Sequence, residues 1–148
     1  MSSYTQTAHH LVFSTKRRLP VLAKPDREVL YRYTYGILEN KKCHVYRIGG
    51  VEDHIHILTS IHPSIALADL LRDLKTSMTA WIKKGGVFPG FPGWQDSYGG
   101  FAVSVDHRSN LIDYIRDQEE HHRHESSLEE FRRLLRENGV EFDERYLE

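Results

Sequence analysis

Cysteine is almost absent: Cys43 stands alone. A single thiol excludes a disulfide framework and any multi-cysteine zinc site, and makes a reducing, cytoplasmic compartment the expectation. No apolar run approaches the ~20 residues that a membrane-spanning helix needs, so no membrane association is expected. The opening residues, MSSYTQTAHH, lack a basic start followed by an apolar block, so no secretory signal is expected either. No low-complexity segment, long linker or internal repeat interrupts the chain. Excess charge is missing too: the net charge of −1 does not advertise a nucleic-acid binder. What remains is ordinary for one globular domain: 148 residues, 39% hydrophobic and 28% charged. That length suffices to bury a core.

Two features are over-supplied. Ten histidines are present, and histidine binds metals and moves protons near neutral pH. Charge is also unevenly spread. Residues 125–148 carry eight acidic and four basic groups, a net of −4, whereas residues 1–124 are net +3. A mildly basic body thus carries an acidic tail.

Hydrophobic periodicity orders the chain as β-α-β-β-α-loop-β-α-α. Residues 7–15 read as a strand, followed by the basic turn Lys16, Arg17, Arg18. Pro25 and Asp26 open a helix to Asn40 with Val29, Leu30, Tyr33, Ile37 and Leu38 as its apolar stripe. A second strand over 41–48 is punctuated by Gly49-Gly50. Residues 54–61, HIHILTSI, alternate, with His54, His56, Leu58 and Ser60 on one face. A long helix started by Pro63 and Ser64 and running to about Lys84 presents Ile65, Leu67, Leu70, Leu71, Leu74, Met78 and Trp81. Residues 85–100 hold six glycines and two prolines and form a loop. A short strand over 101–105 precedes a helix running from Ser109 or Asn110 to about His124. Ser126 or Ser127 caps a last helix, 128–137. The first six elements match the split β-α-β order of ferredoxin-like domains. The expectation is an α+β fold: an antiparallel sheet with helices on one face, plus a C-terminal tyrosine helix and acidic tail.

Three groupings carry chemistry. His54-Ile55-His56 on a strand places two imidazoles on one face, ~7 Å apart along the chain, where both reach one divalent ion; the alternative is a pair of hydrogen-bonded surface histidines. His122-x-His124 is a poorer pair, because i and i+2 diverge on a helix. Tyr114 and Gln118 lie one helical turn apart on one face. A tyrosine hydroxyl is a weak nucleophile unless activated, and a nearby metal helps by polarising the target phosphate. Gln118 offers an amide oxygen as a ligand. The alternative makes Tyr114 an ordinary half-buried aromatic. Finally, Lys16, Arg17, Arg18, Arg72, Lys75 and Lys83, with Phe88, Phe91, Trp94 and Tyr98, combine cations and aromatics in a way that suits single-stranded nucleic acid. A normally solvated surface and a loop pinned by its aromatics is the other reading.

Taken in order, these segments resemble the single-tyrosine, His-hydrophobic-His transposases of small bacterial insertion sequences, the IS200-like family, related to the REP-associated tyrosine transposases. HHLVFSTKRRLPVL (9–22), GGVEDHIHILTSI (49–61), SIALADLLRDLKTSMTAWI (64–82), WQDSYGGFAVS (94–104) and LIDYIRDQEEHH (111–122) carry the resemblance over most of the chain.

The resemblance implies a metal-dependent DNA strand transferase. His54, His56 and Gln118 would hold Mg²⁺ or Mn²⁺. Tyr114 would attack single-stranded DNA, leaving a 5′-phosphotyrosine link and a free 3′-OH; rejoining to another 3′-OH reverses the step. The implied partners are single-stranded and hairpin DNA and a second subunit, the homodimer sharing its active sites. Residues 1–124 would form the catalytic domain, with 125–148 an appended helix and tail that covers the DNA groove, braces the dimer or regulates access. Two other classes fit parts of the pattern: a non-catalytic nucleic-acid-binding module, and a small metal-binding protein unrelated to DNA.

Overall fold

A computed structural model describes residues 3–147. Four strands, β1 (Ala8–Ser14), β2 (Val45–Val51), β3 (His54–Ser60) and β4 (Gly99–Ala102), form one sheet in the order β2-β3-β1-β4. All neighbouring pairs are antiparallel. That is the expected ferredoxin-like topology. Val51 pairs with His54, so Glu52 and Asp53 make a two-residue hairpin turn. This turn sets the register that puts the two histidines of β3 beside Gly49 and Val51 of β2; on the other side they pair with Val12 and Ser14 of β1.

Alternation on β3 divides the molecule into two layers. Ile55 and Ile57 join Leu11, Phe13, Leu30, Leu70, Leu74 and Met78 in the main core. This face is covered by α1 (Asp26–Asn40) and α2 (Leu67–Gly85). Within α1 the buried row is Arg27, Leu30, Thr34, Leu38. The sequence stripe is rotated from this, since Val29 and Tyr33 are exposed. Two interactions account for the rotation: Arg27 is buried by ion-pairing to Glu119, and Tyr33 stacks on Trp81. α2 begins later than expected, because His62 and Ser64 close a turn ahead of it. It ends at Gly86, whose φ of 63° gives the left-handed cap.

The opposite face is covered by the C-terminal helices α3 (Arg108–Arg116), α4 (Gln118–His121) and α5 (Ser127–Glu137). Leu58 and Ala8 pack on Leu111 and Ile115. Val12 and Phe101 pack on Phe131, Leu134, Leu135 and Leu147. Residues 125–147 therefore share a core with the sheet. α5 starts on a complete capping box, Ser126 with Glu129.

Two glycines let these helices approach. A Cβ on Gly49 would lie 2.4 Å from the Ile115 carbonyl oxygen, and one on Gly99 would lie 2.8 Å from Phe131. Gly49-Gly50 is thus part of β2 rather than its end, and β4 begins at Gly99 rather than Phe101; close helix packing requires Gly49 and Gly99, while a Cβ on Gly50 would meet the His54 carbonyl of the adjacent strand. The loop between α2 and β4 is held by its own aromatics. Phe88 and Trp94 are buried, and Trp94 packs edge-on against Phe13 and Phe91.

Candidate metal centre and active site

His54 and His56 point from β3 into the layer beneath α3–α5, and both are buried. Each is oriented from behind. His54 Nδ1 donates to Asp53 Oδ1 at 2.7 Å, and Asp53 Oδ2 accepts from Ser127 Oγ at 2.9 Å. His56 Nδ1 meets His10 Nε2 at 2.8 Å. These contacts aim both Nε2 atoms at one point. A chain kink at Asp117 separates α3 from α4 and makes Gln118 the first residue of α4. Its amide is buried beside the same point, with Oε1 3.2 Å from His54 Nε2.

The centre of the cluster is a residue that sequence reasoning passed over. Glu130 of α5 is 1% exposed. Its Oε1 lies 3.1 Å from His54 Nε2, 2.9 Å from His56 Nε2 and 3.1 Å from His122 Nε2. Its Oε2 accepts from Gln118 Nε2 at 3.0 Å and from the Tyr114 hydroxyl. His122 enters from the end of α4, with Nδ1 donating to the Glu125 carbonyl at 2.6 Å. His124 points away and is exposed, as the divergence of i and i+2 on a helix requires.

Electrostatics follow from this packing. Burial pushes His54 down, but Asp53 and Glu130 outweigh it and raise its pKa to about 9. Burial holds His56 and His10 below the usual histidine range, with neighbouring imidazoles adding to the effect. Burial pushes Glu130 up, yet His56, His122 and His54 together hold it well below the carboxylate range. Glu130 is therefore an anion ringed by imidazoles.

Tyr114 lies one turn from Gln118, half-buried, with its ring 6.0 Å from that of His56. Its oxygen donates to Glu130 and accepts from Arg133 Nη2 at 2.7 Å. Burial raises the phenol above its ordinary range, Glu130 adds to this, and Arg133 opposes it. One chain thus brings together Tyr114, His54, His56 and Gln118.

The comparisons bear on this assembly. Residues 3–118 match the family described as Transposase IS200 like. The chain belongs to the IS200-like transposase family, a family of DNA strand transferases. A candidate transposase from Deinococcus radiodurans R1 has a similar crystal structure, with TM-score 0.63 and 23% identity over 80% of this chain and 95% of that one. A REP-associated tyrosine transposase bound to a REP hairpin gives TM-score 0.61 and 14% identity over 82% and 74%. At these identities the likeness is one of fold. A search of curated proteins found no match.

The family match ends at Gln118, so His122, Glu130 and Arg133 lie beyond it. A signal for Glu130 was present in the sequence. It occupies the apolar row Ser127, Glu130, Phe131, Leu134 of a strongly amphipathic helix, where a charge needs a buried partner. His10 and Asp53 carried no comparable signal, since each depends on strand register or on the hairpin turn.

The basic residues divide into two groups. Lys16, Arg17 and Lys83 are exposed, and so is Arg72, which pairs with Asp69 and Asp73. Arg18 is tied inward, donating to Ser127 Oγ at 3.3 Å and to the Leu147 carbonyl at 3.1 Å. Lys75 clamps the glycine-rich loop through the carbonyls of Gln95, Asp96 and Ser97. No described helix is long and apolar enough to cross a membrane.

Proposed function

We propose that this transposase cleaves and rejoins single-stranded DNA next to a hairpin through a 5′-phosphotyrosine link formed on Tyr114. The observation that carries the reading is the convergence, within one chain, of a tyrosine hydroxyl, two strand histidines and Gln118 on a single buried point. The donor set fits a divalent cation: ligand atoms of His54, His56, His122 and Glu130 lie within 4.8 Å of one another, and the second nitrogen of each histidine is held by its own partner. Bound there, Mg²⁺ or Mn²⁺ would polarise the scissile phosphate.

The chain's own residues do the rest. Asp53 and His10 fix the imidazoles. Arg133, bonded to the Tyr114 oxygen, stabilises negative charge as the phenol loses its proton to water, and Glu130 Oε2 orients the hydroxyl by accepting its hydrogen bond. The tyrosine oxygen bonds to phosphorus and the 3′-oxygen leaves with the electron pair of the broken bond. The phosphodiester energy is kept in the link, so no nucleotide cofactor is consumed. Tyr114, His121 and His122 are only partly buried, unlike His54, His56, Gln118 and Glu130, and a phosphate would enter from their side.

Hairpin recognition rests on the family and on the hairpin held by the REP-associated neighbour. Lys16, Arg17 and Lys83 are the exposed cations proposed to contact DNA phosphates; Arg72 would have to exchange its aspartates for phosphate, and Arg18 and Lys75 act at one remove by holding the tail and the loop. A homodimer, as the sequence resemblance implies, remains part of the proposal, though the tyrosine helix need not cross to a partner to meet the histidines. The test is incubation with single-stranded hairpin DNA and Mn²⁺, followed by denaturation. A DNA–protein adduct supports the reading, and its absence overturns it.

A further inference from the structure

The expected ligands were His54, His56 and Gln118, but the geometry brings two further ligand groups, His122 and Glu130, to the same point. Three imidazole Nε2 atoms surround one carboxylate oxygen at 2.9–3.1 Å. Glu130 and His122 both come from the segment after Gln118. His122 is held for ligation as firmly as the strand pair, its Nδ1 fixed on the Glu125 carbonyl. Glu130 is the one buried anion in reach of all three imidazoles among the described residues. Its other oxygen, Oε2, accepts from the Gln118 amide and the Tyr114 phenol and lies 3.6 Å from His121 Nε2.

We propose that Glu130 and His122 are metal ligands, so that the centre is a three-histidine, one-carboxylate site assembled only when α5 is docked, and that it selects a transition-metal dication such as Mn²⁺ or Co²⁺ over Mg²⁺. The inference rests on the metal-dependent reading above and deepens it. The selectivity follows from donor chemistry. Mg²⁺ prefers oxygen and water and gives up its water reluctantly, whereas first-row transition dications accept imidazole nitrogen, Mn²⁺ the least tightly of the series and Co²⁺ more so. With three nitrogens around it, Mg²⁺ would exchange favourable oxygen donors for unfavourable ones. The carboxylate supplies the negative charge that neutral imidazoles and an amide lack.

The test measures binding rather than turnover. Chelator-stripped full-length protein is titrated with MnCl₂, free Mn²⁺ being read by electron paramagnetic resonance, and the Co²⁺-loaded form is followed by visible absorption. Wild type should bind one Mn²⁺ and retain it against about a 100-fold excess of Mg²⁺. Glu130→Gln, which preserves shape, and His122→Asn should each weaken Mn²⁺ binding by roughly tenfold or more and change the Co²⁺ band. Near-ultraviolet circular dichroism identifies folded variants, and either variant alone decides the matter if the other does not fold. Binding by Glu130→Gln as tight as wild type, or tighter, would mean that the carboxylate only fills the place of a metal, and would overturn the proposal. So would displacement of Mn²⁺ by the Mg²⁺ excess. A His54→Ala/His56→Ala variant that still binds Mn²⁺ at wild-type strength would be a different failure, removing the metal centre itself.

Discussion

Tyr114 donates its hydroxyl hydrogen bond to Glu130, the carboxylate on which His54, His56 and His122 converge. Nucleophile and metal-site residues are therefore coupled through one side chain, and that side chain comes from the acidic C-terminal segment. The segment is part of the site: α5 delivers Glu130 to the imidazoles and Arg133 to the tyrosine oxygen.

The histidine pair should separate catalysis from binding. His54→Ala or His56→Ala is expected to abolish cleavage while leaving most hairpin-DNA affinity, because affinity comes mainly from phosphate and base contacts. Gln118→Ala should be milder, since a neutral amide is the weakest proposed ligand; it should raise the Mn²⁺ concentration for half-maximal cleavage. Equal cleavage by wild type and the double histidine variant would rule the site out, and an unchanged Mn²⁺ midpoint would count against Gln118.

The stability of the metal-free protein should fall as pH rises from about 6.5 to 9. His54 has a folded pKa of about 9 against an ordinary 6.5, so its stabilising charge is fully present below 6.5 and is lost as pH passes through the folded value. His10 and His56, held neutral by burial, bring no opposing change above 6.5. Metal affinity should move the other way over the same window, because a ligand must shed its proton first. Thermal melts in chelator, repeated on His54→Asn, check this; a flat profile for wild type would contradict a charged His54.

α5 should be held mainly by its apolar face. Phe131 packs on Val12 and Phe101 and fits against Gly99. Phe131→Ala should cost about 3–5 kcal/mol, as large-to-small core changes do, and should expose α5 amides to hydrogen exchange ahead of those in β1 and β3. Protection of α5 equal to that of the sheet in this variant would show that the helix is anchored elsewhere.

The antiparallel sheet was legible from the order of elements, and the shared face of the two histidines and of the tyrosine–glutamine pair from local periodicity: period two on β3, one helical turn between Tyr114 and Gln118; that the two pairs meet was implied only by the family resemblance. The second layer was not. Nothing local places α5 across the sheet; this follows from Gly49 and Gly99 being small enough to admit α3 and α5. The same non-local packing brings Arg133 to Tyr114 across 19 positions and Glu130 to His56 across 74. The basic residues show a further limit. Sequence grouped Arg18 with Arg17, yet Arg18 is committed to Ser127 and the Leu147 carbonyl, a difference only tertiary contacts reveal.

The identity of the linked tyrosine tests the central claim most directly. Wild-type protein is incubated with single-stranded hairpin DNA and Mn²⁺, denatured, digested, and the nucleotide-bearing peptide sequenced. The account predicts the nucleotide on Tyr114, an adduct lost in Tyr114→Phe with fold and hairpin binding retained, and an adduct kept in Tyr98→Phe and Tyr146→Phe. A nucleotide mapped to any other tyrosine, or an adduct formed by Tyr114→Phe, would contradict it.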